Sequence, residues 1–172
     1  SFGHHFCQSV AELFEKIIHI ATDITEHKHV EEALRLEKEK AQSYFDIAGV
    51  MLMVLNVDET VAQINEKGCE VLGLPSEQIV GQNWFDTFLP DSCREQLRRG
   101  FRDFVHGKVP QWEDMRVSGN ENPVVCSDGK ERIILWNTAV IFAADGKTIV
   151  GVLSSGEDIT ERQSIERALQ ES

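Results

Sequence analysis

The stretch GEDITERQSIERAL at positions 156–169 decides how this chain is organised, because ATDITEHKHVEEAL at positions 21–34 repeats its pattern. Both copies contain Asp-Ile-Thr-Glu, then an apolar residue, a Glu and Ala-Leu. The aspartates of the two copies, Asp23 and Asp158, are separated by 135 positions. A repeat at this distance predicts that the same module boundary occurs twice, as in a tandem array.

Each copy is predicted to join the end of a strand to the start of a helix. Asp23 and Asp158, or Thr25 and Thr160 after them, are placed to accept hydrogen bonds from free N–H groups of the first turn. The apolar residues that follow recur at three- and four-residue spacing on a strongly charged helix. Such a narrow stripe suits pairing with another helix.

The two boundaries divide the chain into four predicted parts. The first, 1–22, is either a remnant of a preceding module, ending in a strand over 16–22, or foreign sequence. The other three are a helical linker (23–45), a complete module (46–160) and the start of an output helix (161–172).

The flanking helices are also predicted to form a homodimer. Leu34, Ala41 and Ala48 recur at seven-residue spacing, which is the pattern of a coiled coil.

The first half of the module reads as short elements separated by turn signals. Apolar residues over 49–57 and 60–65, separated by Asp58-Glu59, predict two strands and a tight turn. Asn65 is placed to cap a helix over 66–72 that Gly73 closes. A brief helix is predicted from Pro75, and a longer amphipathic helix from Pro90 carries Leu97, Phe101, Phe104 and Val105 as its inward stripe.

The second half predicts a three-stranded meander over 111–126, 131–142 and 148–157, with hairpin turns at Asp128-Gly129 and Asp145-Gly146. The fold class is therefore α+β, with a five-stranded antiparallel sheet, short helices on one face and a cavity between the layers. The middle strand carries apolar residues on both faces. One face should line the core, and a helix or partner chain should cover the other.

Composition narrows the classes of partner. A formal charge of −12 and a pI near 4.9 argue against nucleic acid. The run with Arg94, Arg98, Arg99 and Arg102 includes interleaved acids and is interpreted as a solvated helix face. The longest apolar run, 47–57, is about half of the ~20 residues of a membrane helix, and no signal peptide is recognisable, so a cytoplasmic location with no membrane insertion is expected.

Five features of the module belong together: Asn65, LGL at 72–74, SEQIVG at 76–81, NWFDTFLP at 83–90 and GEDITER at 156–162. With these features the chain resembles the PAS superfamily of sensory domains over about 41–162. The resemblance implies a PAS fold whose flanking helices pass a state to a downstream histidine kinase or diguanylate cyclase. None of those effector motifs is present, and no nucleophile–base pair or phosphate loop is found, so the chain is not expected to be an enzyme.

The resemblance further implies a ligand pocket between helices and sheet. The alternative is a ligand-free spacer and dimerisation module. Asn65 could bind a ligand or cap its helix, and Cys69 could sense redox state or pack as a small apolar residue. The pocket candidates are Asn65, Cys69, Leu72, Trp84, Phe88, Leu97, Phe101, Trp136 and Thr138.

The identity of any cofactor is left open by the sequence. The flavin-adduct branch of the family has a cysteine after the turn that Gly81 begins here, and haem-binding members have a histidine on the long helix; neither is present, and His106 lies beyond that helix. Non-covalent FAD is a candidate, since Trp84, Trp112 and Trp136 could stack on its ring, but a small metabolite or no ligand is favoured. The cysteines Cys7, Cys69, Cys93 and Cys126 are too widely spaced for a metal site.

The resemblance also implies a site that relays a signal from the last strand to the helix after it. Asp158, Thr160 and Arg162 resemble the family's strand-to-helix coupling residues, and Asp23 and Thr25 are their counterparts in the first copy. An Asp158–Arg162 salt bridge could respond to movement of the last strand. The simpler interpretation is a helix cap and a surface charge worth under ~1 kcal/mol.

Overall fold

A computed structural model describes residues 2–108 and 117–171 of the protein. The chain divides into two compact units, 1–44 and 45–172. Among the described residues, no helix combines the length and the apolarity that a membrane crossing requires.

The first unit is a single helix, α1 (Phe2–Asp46), whose last two residues belong to the second unit. The strand predicted over 16–22 is therefore wrong, and Asp23 lies inside the helix instead of capping it. The physical reason is backbone pairing. A strand needs a neighbouring strand for its N–H and C=O groups, whereas a helix satisfies them internally.

The threonines of this segment show the same internal pairing. The hydroxyl groups of Thr22 and Thr25 donate to the carbonyl oxygens of Ile18 and Ala21, each at 2.8 Å. Thr25 is thus a helix-interior residue. Its described hydrogen bond lies within the helix and does not support the predicted relay role. That residues 1–22 derive from a preceding module stays a prediction.

The second unit contains a five-stranded antiparallel sheet in the order β2-β1-β5-β4-β3, which confirms the predicted fold class. The predicted bounds of the middle strand of the meander are those observed, and the predicted start of the strand before it, 111–116, lies outside the described residues. The strands are β1 (Met51–Asn56), β2 (Val61–Ile64), β3 (Val117–Val125), β4 (Glu131–Phe142) and β5 (Ile149–Asp158).

Helices follow the predicted order with one addition, α4. Asn65 caps α2 through its side chain, and Gly73 ends that helix at φ 71°, where a Cβ would lie 2.4 Å from the Ser127 hydroxyl oxygen. A left-handed residue at this close approach requires glycine. The helices are α2 (Glu66–Leu72), α3 (Ser76–Ile79), α4 (Trp84–Phe88), α5 (Asp91–Val105) and α6 (Thr160–Gln170).

The core lies between the short helices and one face of the sheet. On β4, Ile134 and Trp136 are buried, whereas Leu135 on the opposite face is half-buried and Asn137 is exposed. The alternation predicted for this strand is therefore observed. Covering of the outer sheet face by a helix or partner chain stays a prediction.

Candidate functional site

A cavity of about 460 Å³ lies between α4, α5 and the inner face of the sheet. Its walls are mostly apolar, and none of the described lining residues is charged. Such a volume lies within the ~300–1,000 Å³ of small-molecule sites. The described lining consists of Met53, Leu55, Trp84, Phe85, Leu89, Gln96, Leu97, Gly100, Phe101, Phe104, Asn120, Asn122, Trp136, Thr138, Val152 and Ser154.

Five of the nine predicted pocket residues line this cavity: Trp84, Leu97, Phe101, Trp136 and Thr138. The other four lie outside its lining. Leu72 and Phe88 are buried in the core, Cys69 packs partly buried against it, and Asn65 is buried at the start of α2. The sequence pointed to the right layers but could not separate core residues from cavity residues.

The aromatic side chains of the cavity wall are packed against one another. The rings of Trp84 and Trp136 meet edge to face at 5.9 Å and 89°, and Trp84 also lies 5.1 Å from Phe88. Gly156 makes room for this arrangement, since a Cβ there would lie 2.8 Å from the Trp136 ring. Because the two indoles are perpendicular, they cannot both stack parallel to one flavin ring in this arrangement.

The remaining cofactor residues lie elsewhere. Trp112 is outside the described residues. His106 is exposed at the end of α5, with its Nδ1 atom 2.7 Å from the Arg102 carbonyl oxygen, and does not line the cavity. It is thus an exposed histidine at the end of a helix.

Asn65 is a fully used structural amide. Its Oδ1 accepts from the N–H groups of Leu52 at 2.8 Å and Gly68 at 2.9 Å. Its Nδ2 donates to the carbonyl oxygens of Phe45 at 2.9 Å and Val50 at 3.0 Å. The side chain thus joins the end of α1, the start of β1 and the start of α2. The capping interpretation accounts for the bond from Gly68, and the other three bonds are further structural contacts to backbone.

Cys69 is half-buried on α2. Burial raises the pKa of its thiol, and the negative charges of Glu77, Glu66 and Asp46 raise that pKa further. A thiol with a raised pKa is mostly protonated near neutral pH and therefore a poor nucleophile. This environment favours the packing interpretation over redox sensing.

The junction between β5 and α6 is tied to the sheet by two residues. Asp158 accepts from the N–H of Thr160 at 3.0 Å and from Arg132 Nη1 at 3.0 Å. The Thr160 hydroxyl in turn accepts from the N–H of Ile133 at 2.9 Å. Partial burial would raise the pKa of Asp158, but the bonds from Thr160 and Arg132 outweigh it and lower that pKa.

The predicted Asp158–Arg162 salt bridge is wrong. Asp158 pairs with Arg132 of β4, and Arg162 Nη1 lies 4.0 Å from Glu157. The positions of the two arginines explain the difference. Arg162 is an exposed residue of α6, whereas Arg132 lies on β4, the strand next to the one that carries Asp158.

A second, more polar cavity of about 460 Å³ lies beside this junction, lined by Gly49, Val50, Lys67, Arg132, Asp158 and Thr160 among others.

A buried carboxylate that the sequence did not single out anchors α5. Glu59 is 6% exposed and adopts a left-handed backbone at φ 74° in the β1–β2 turn. It accepts from Arg98 Nε at 3.1 Å, Arg102 Nε at 2.6 Å and Asn83 Nδ2 at 3.1 Å. We call Glu59, Arg98, Arg102 and Asn83 the α5 anchor.

The interpretation of the arginines as a solvated helix face is therefore wrong in part. The side chain of Arg98 is only 13% exposed and contacts Glu59. Arg94 donates to the carbonyl oxygens of Phe85 and Leu89, both at 2.9 Å. No short-range pattern links Glu59 to helix residues about 40 positions later, so a single sequence carries no signal for the anchor.

Comparison with known proteins identifies the fold. A family model described as "PAS fold" matches residues 45–164. No curated protein matches the chain. Among solved structures, the PAS domain of an HTR-like protein from Haloarcula marismortui is similar at 19% identity and a TM-score of 0.59, covering 77% of this chain and 99% of that one.

Two further solved structures are similar. The PAS domain of a protein from Colwellia psychrerythraea has 20% identity and a TM-score of 0.60, covering 73% of this chain and 98% of that one. The PAS domain of the RpfR quorum-sensing receptor from Cronobacter turicensis, in complex with BDSF, has 21% identity and a TM-score of 0.51, covering 66% and 96%. Because the family model spans most of the chain, this protein belongs to the PAS fold family of generally sensory, non-catalytic domains.

Proposed function

We propose that this chain is a sensory input domain that binds a small molecule in the cavity under α5 and relays its state through α6 to a downstream effector such as a histidine kinase. The observation that carries the proposal is the continuity of β5. Val152 and Ser154 line the cavity, and the same strand runs on to Asp158, after which α6 begins at Thr160.

The relay follows from the contacts of the junction. The start of α6 is held to β4 through the Thr160–Ile133 and Asp158–Arg132 bonds. A shift of β5 relative to β4 would strain both bonds and change how α6 begins. A ligand can shift such an equilibrium by as much as its affinities for the two arrangements differ.

A related domain offers support for ligand binding but not for a ligand's identity. The RpfR domain was solved with BDSF. At 21% identity the likeness shows the fold alone. The proposal of a ligand for this chain therefore rests on its own cavity.

Assembly completes the proposal. Leu34 and Ala41, at seven-residue spacing, are exposed on α1, and we propose a homodimer through the flanking helices in a cytoplasmic tandem array. Analytical ultracentrifugation giving the mass of a single chain would contradict the dimer.

A ligand-free spacer is the second candidate, and one observation favours it. The Thr138 and Ser154 hydroxyl oxygens lie 3.2 Å apart and share one hydrogen bond, while Trp84 and Trp136 pack together. These contacts of the cavity wall form without help from a ligand.

The two candidates differ in what purified protein retains or takes up. Native mass spectrometry and a thermal-shift screen of small molecules are expected to show added mass and stabilisation in the wild type. Gly100→Leu should abolish both, because Gly100 lines the cavity on α5 and a Cβ there would meet no atom within 4 Å, so the larger side chain has room to occupy the cavity. Arg99→Leu, on the exposed side of the same helix, is the matched control. No uptake by the wild type, or equal uptake by Gly100→Leu, would contradict the sensor.

A further inference from the structure

We propose that the cavity under α5 selects an uncharged amphiphile, with its apolar body against α5 and a hydroxyl or carbonyl head at a polar strip on the sheet. This inference rests on the proposed function, since it names the ligand class of the same cavity. The polar strip is defined as Thr138, Ser154, Asn120 and Asn122.

The strand register places the strip on one face of the sheet. Thr138 of β4 and Ser154 of β5 are direct cross-strand partners. Asn120 and Asn122 alternate along β3, and Asn120 is the partner of Trp136 on β4. Since side chains two positions apart share a face, all four can present polar atoms to the same space.

The two hydroxyl groups supply a donor as well as acceptors. Their oxygens are 3.2 Å apart, and either could donate to the other. Each hydroxyl has one hydrogen, so when one donates to its neighbour the other hydrogen is free to point at a ligand. The strip can thus bind a carbonyl oxygen or a hydroxyl group, and the two amides add neutral donors and acceptors.

The opposite wall offers an apolar surface for the ligand's body. Leu97, Phe101 and Phe104 of α5 and Met53 and Leu55 of β1 all line the cavity. Each methylene group removed from water there should tighten binding about fourfold. An elongated aliphatic body therefore gains affinity with length until the cavity is filled.

The described lining of the cavity carries no charge that could pair with an ionised head group. No described lining residue is charged, and the nearby cations Arg98 and Arg102 are engaged by Glu59 in the α5 anchor, outside the lining. An ionised carboxylate at the buried Ser154 would lose hydration without gaining a counter-ion, which weakens its binding. The cavity should therefore prefer a neutral head over a carboxylate on the same body.

A matched pair of ten-carbon probes tests this preference. 1-Decanol and decanoate are titrated into the full chain at pH 8, where decanoate is ionised, and binding is followed by tryptophan fluorescence because Trp84 and Trp136 line the cavity. We expect 1-decanol to bind at least tenfold more tightly. Thr138→Val with Ser154→Ala should weaken its binding about tenfold, corresponding to one to two lost hydrogen bonds.

Ser155→Ala is the control, since Ser155 neighbours Ser154 on β5 but pairs with Asn137 on the opposite face. The Ser155→Ala variant should bind 1-decanol as tightly as the wild type. Decanoate binding as tightly as 1-decanol, or full binding by the hydroxyl-deleted variant, would overturn the ligand class and leave the proposed function standing. Binding of neither probe up to its solubility would also overturn the ligand class, whereas the proposed function is overturned only by the absence of any uptake in the native mass spectrometry and small-molecule screen.

Discussion

At the scale of single residues, Asn65 makes four hydrogen bonds to three segments of backbone. Asn65→Ala would remove the α2 cap and leave buried N–H and C=O groups without partners. We expect a loss of about 2–4 kcal/mol in the free energy of unfolding, measured by urea denaturation. Asn137→Ala, at an exposed position of β4, should cost under ~0.5 kcal/mol. Equal losses in the two variants would refute this role.

Protonation of Asp158 should make the stability of the fold depend on pH. Its pKa lies below the ordinary value of 3.8, because bonds from Thr160 and Arg132 outweigh partial burial. A lowered pKa in the folded state means that the carboxylate stabilises the fold above about pH 3.8, and that this stabilisation is lost as pH falls through the folded-state pKa. Asp158→Asn should therefore cost about 1–2 kcal/mol at pH 7 and less as the pH approaches 3.

Urea unfolding at pH 7, 5 and 3 measures the difference between Asp158→Asn and the wild type. Glu157→Gln is the control, since the side chain of Glu157 is 58% exposed and its nearest cation is 4.0 Å away. A cost for Asp158→Asn that stays constant down to pH 3 would show that the charge of Asp158 contributes nothing.

The sequence predicted residues whose role is local and missed those whose partners are distant. Asn65 as a cap and Gly73 as a helix end depend on a few neighbouring residues. The two bonds from Asn65 Nδ2 reach residues 15 and 20 positions earlier, and Glu59 meets Arg98 39 positions later. Such contacts arise only after the sheet and helices have packed, so no spacing rule signals them.

At the scale of elements, the α5 anchor fixes one wall of the cavity. Glu59→Ala would leave Arg98 and Arg102 without their buried partner. Since Arg98 keeps Asp86 and Glu95, we expect a loss of about 2–3 kcal/mol, below the upper range for buried pairs. Amide hydrogen exchange should rise along α5, Asp91–Val105, more than along α2.

Glu95→Ala is the matched control, because Glu95 bonds the same Arg98 but is 75% exposed. Exposed pairs are worth under ~1 kcal/mol, so exchange along α5 should change little. Similar exchange in Glu59→Ala and Glu95→Ala would show that the burial of Glu59 does not matter.

The two copies of the repeated motif show how context decides an element. Asp158 and Thr160 form a strand-to-helix junction because β4 supplies Arg132 and the Ile133 N–H. Asp23 and Thr25 have the same sequence around them but lie within α1. The motif is therefore sufficient to predict a junction only where a neighbouring strand is present, which one sequence does not specify.

At the scale of the whole molecule, the second unit contains a sheet with a cavity on its inner face, and its last strand, β5, is followed by α6. The α+β class, strand order of the meander and both hairpin turns follow from alternation and turn chemistry in the sequence. The sequence also predicts a cavity between the layers, but the lining of that cavity does not follow from it. Leu72 and Trp84 are both large, buried apolar residues, and only the packing of neighbouring elements decides that Trp84 lines the cavity and Leu72 does not.

The central claim is that events in the cavity reach α6 through β5. Hydrogen exchange of the full chain with and without saturating 1-decanol tests it most directly, with the Gly100→Leu variant as the control for occupancy of the cavity. We expect slower exchange over 149–156 together with altered exchange over 160–170 in the wild type, and neither change in Gly100→Leu. Slower exchange over 149–156 with no change over 160–170 would contradict the claim.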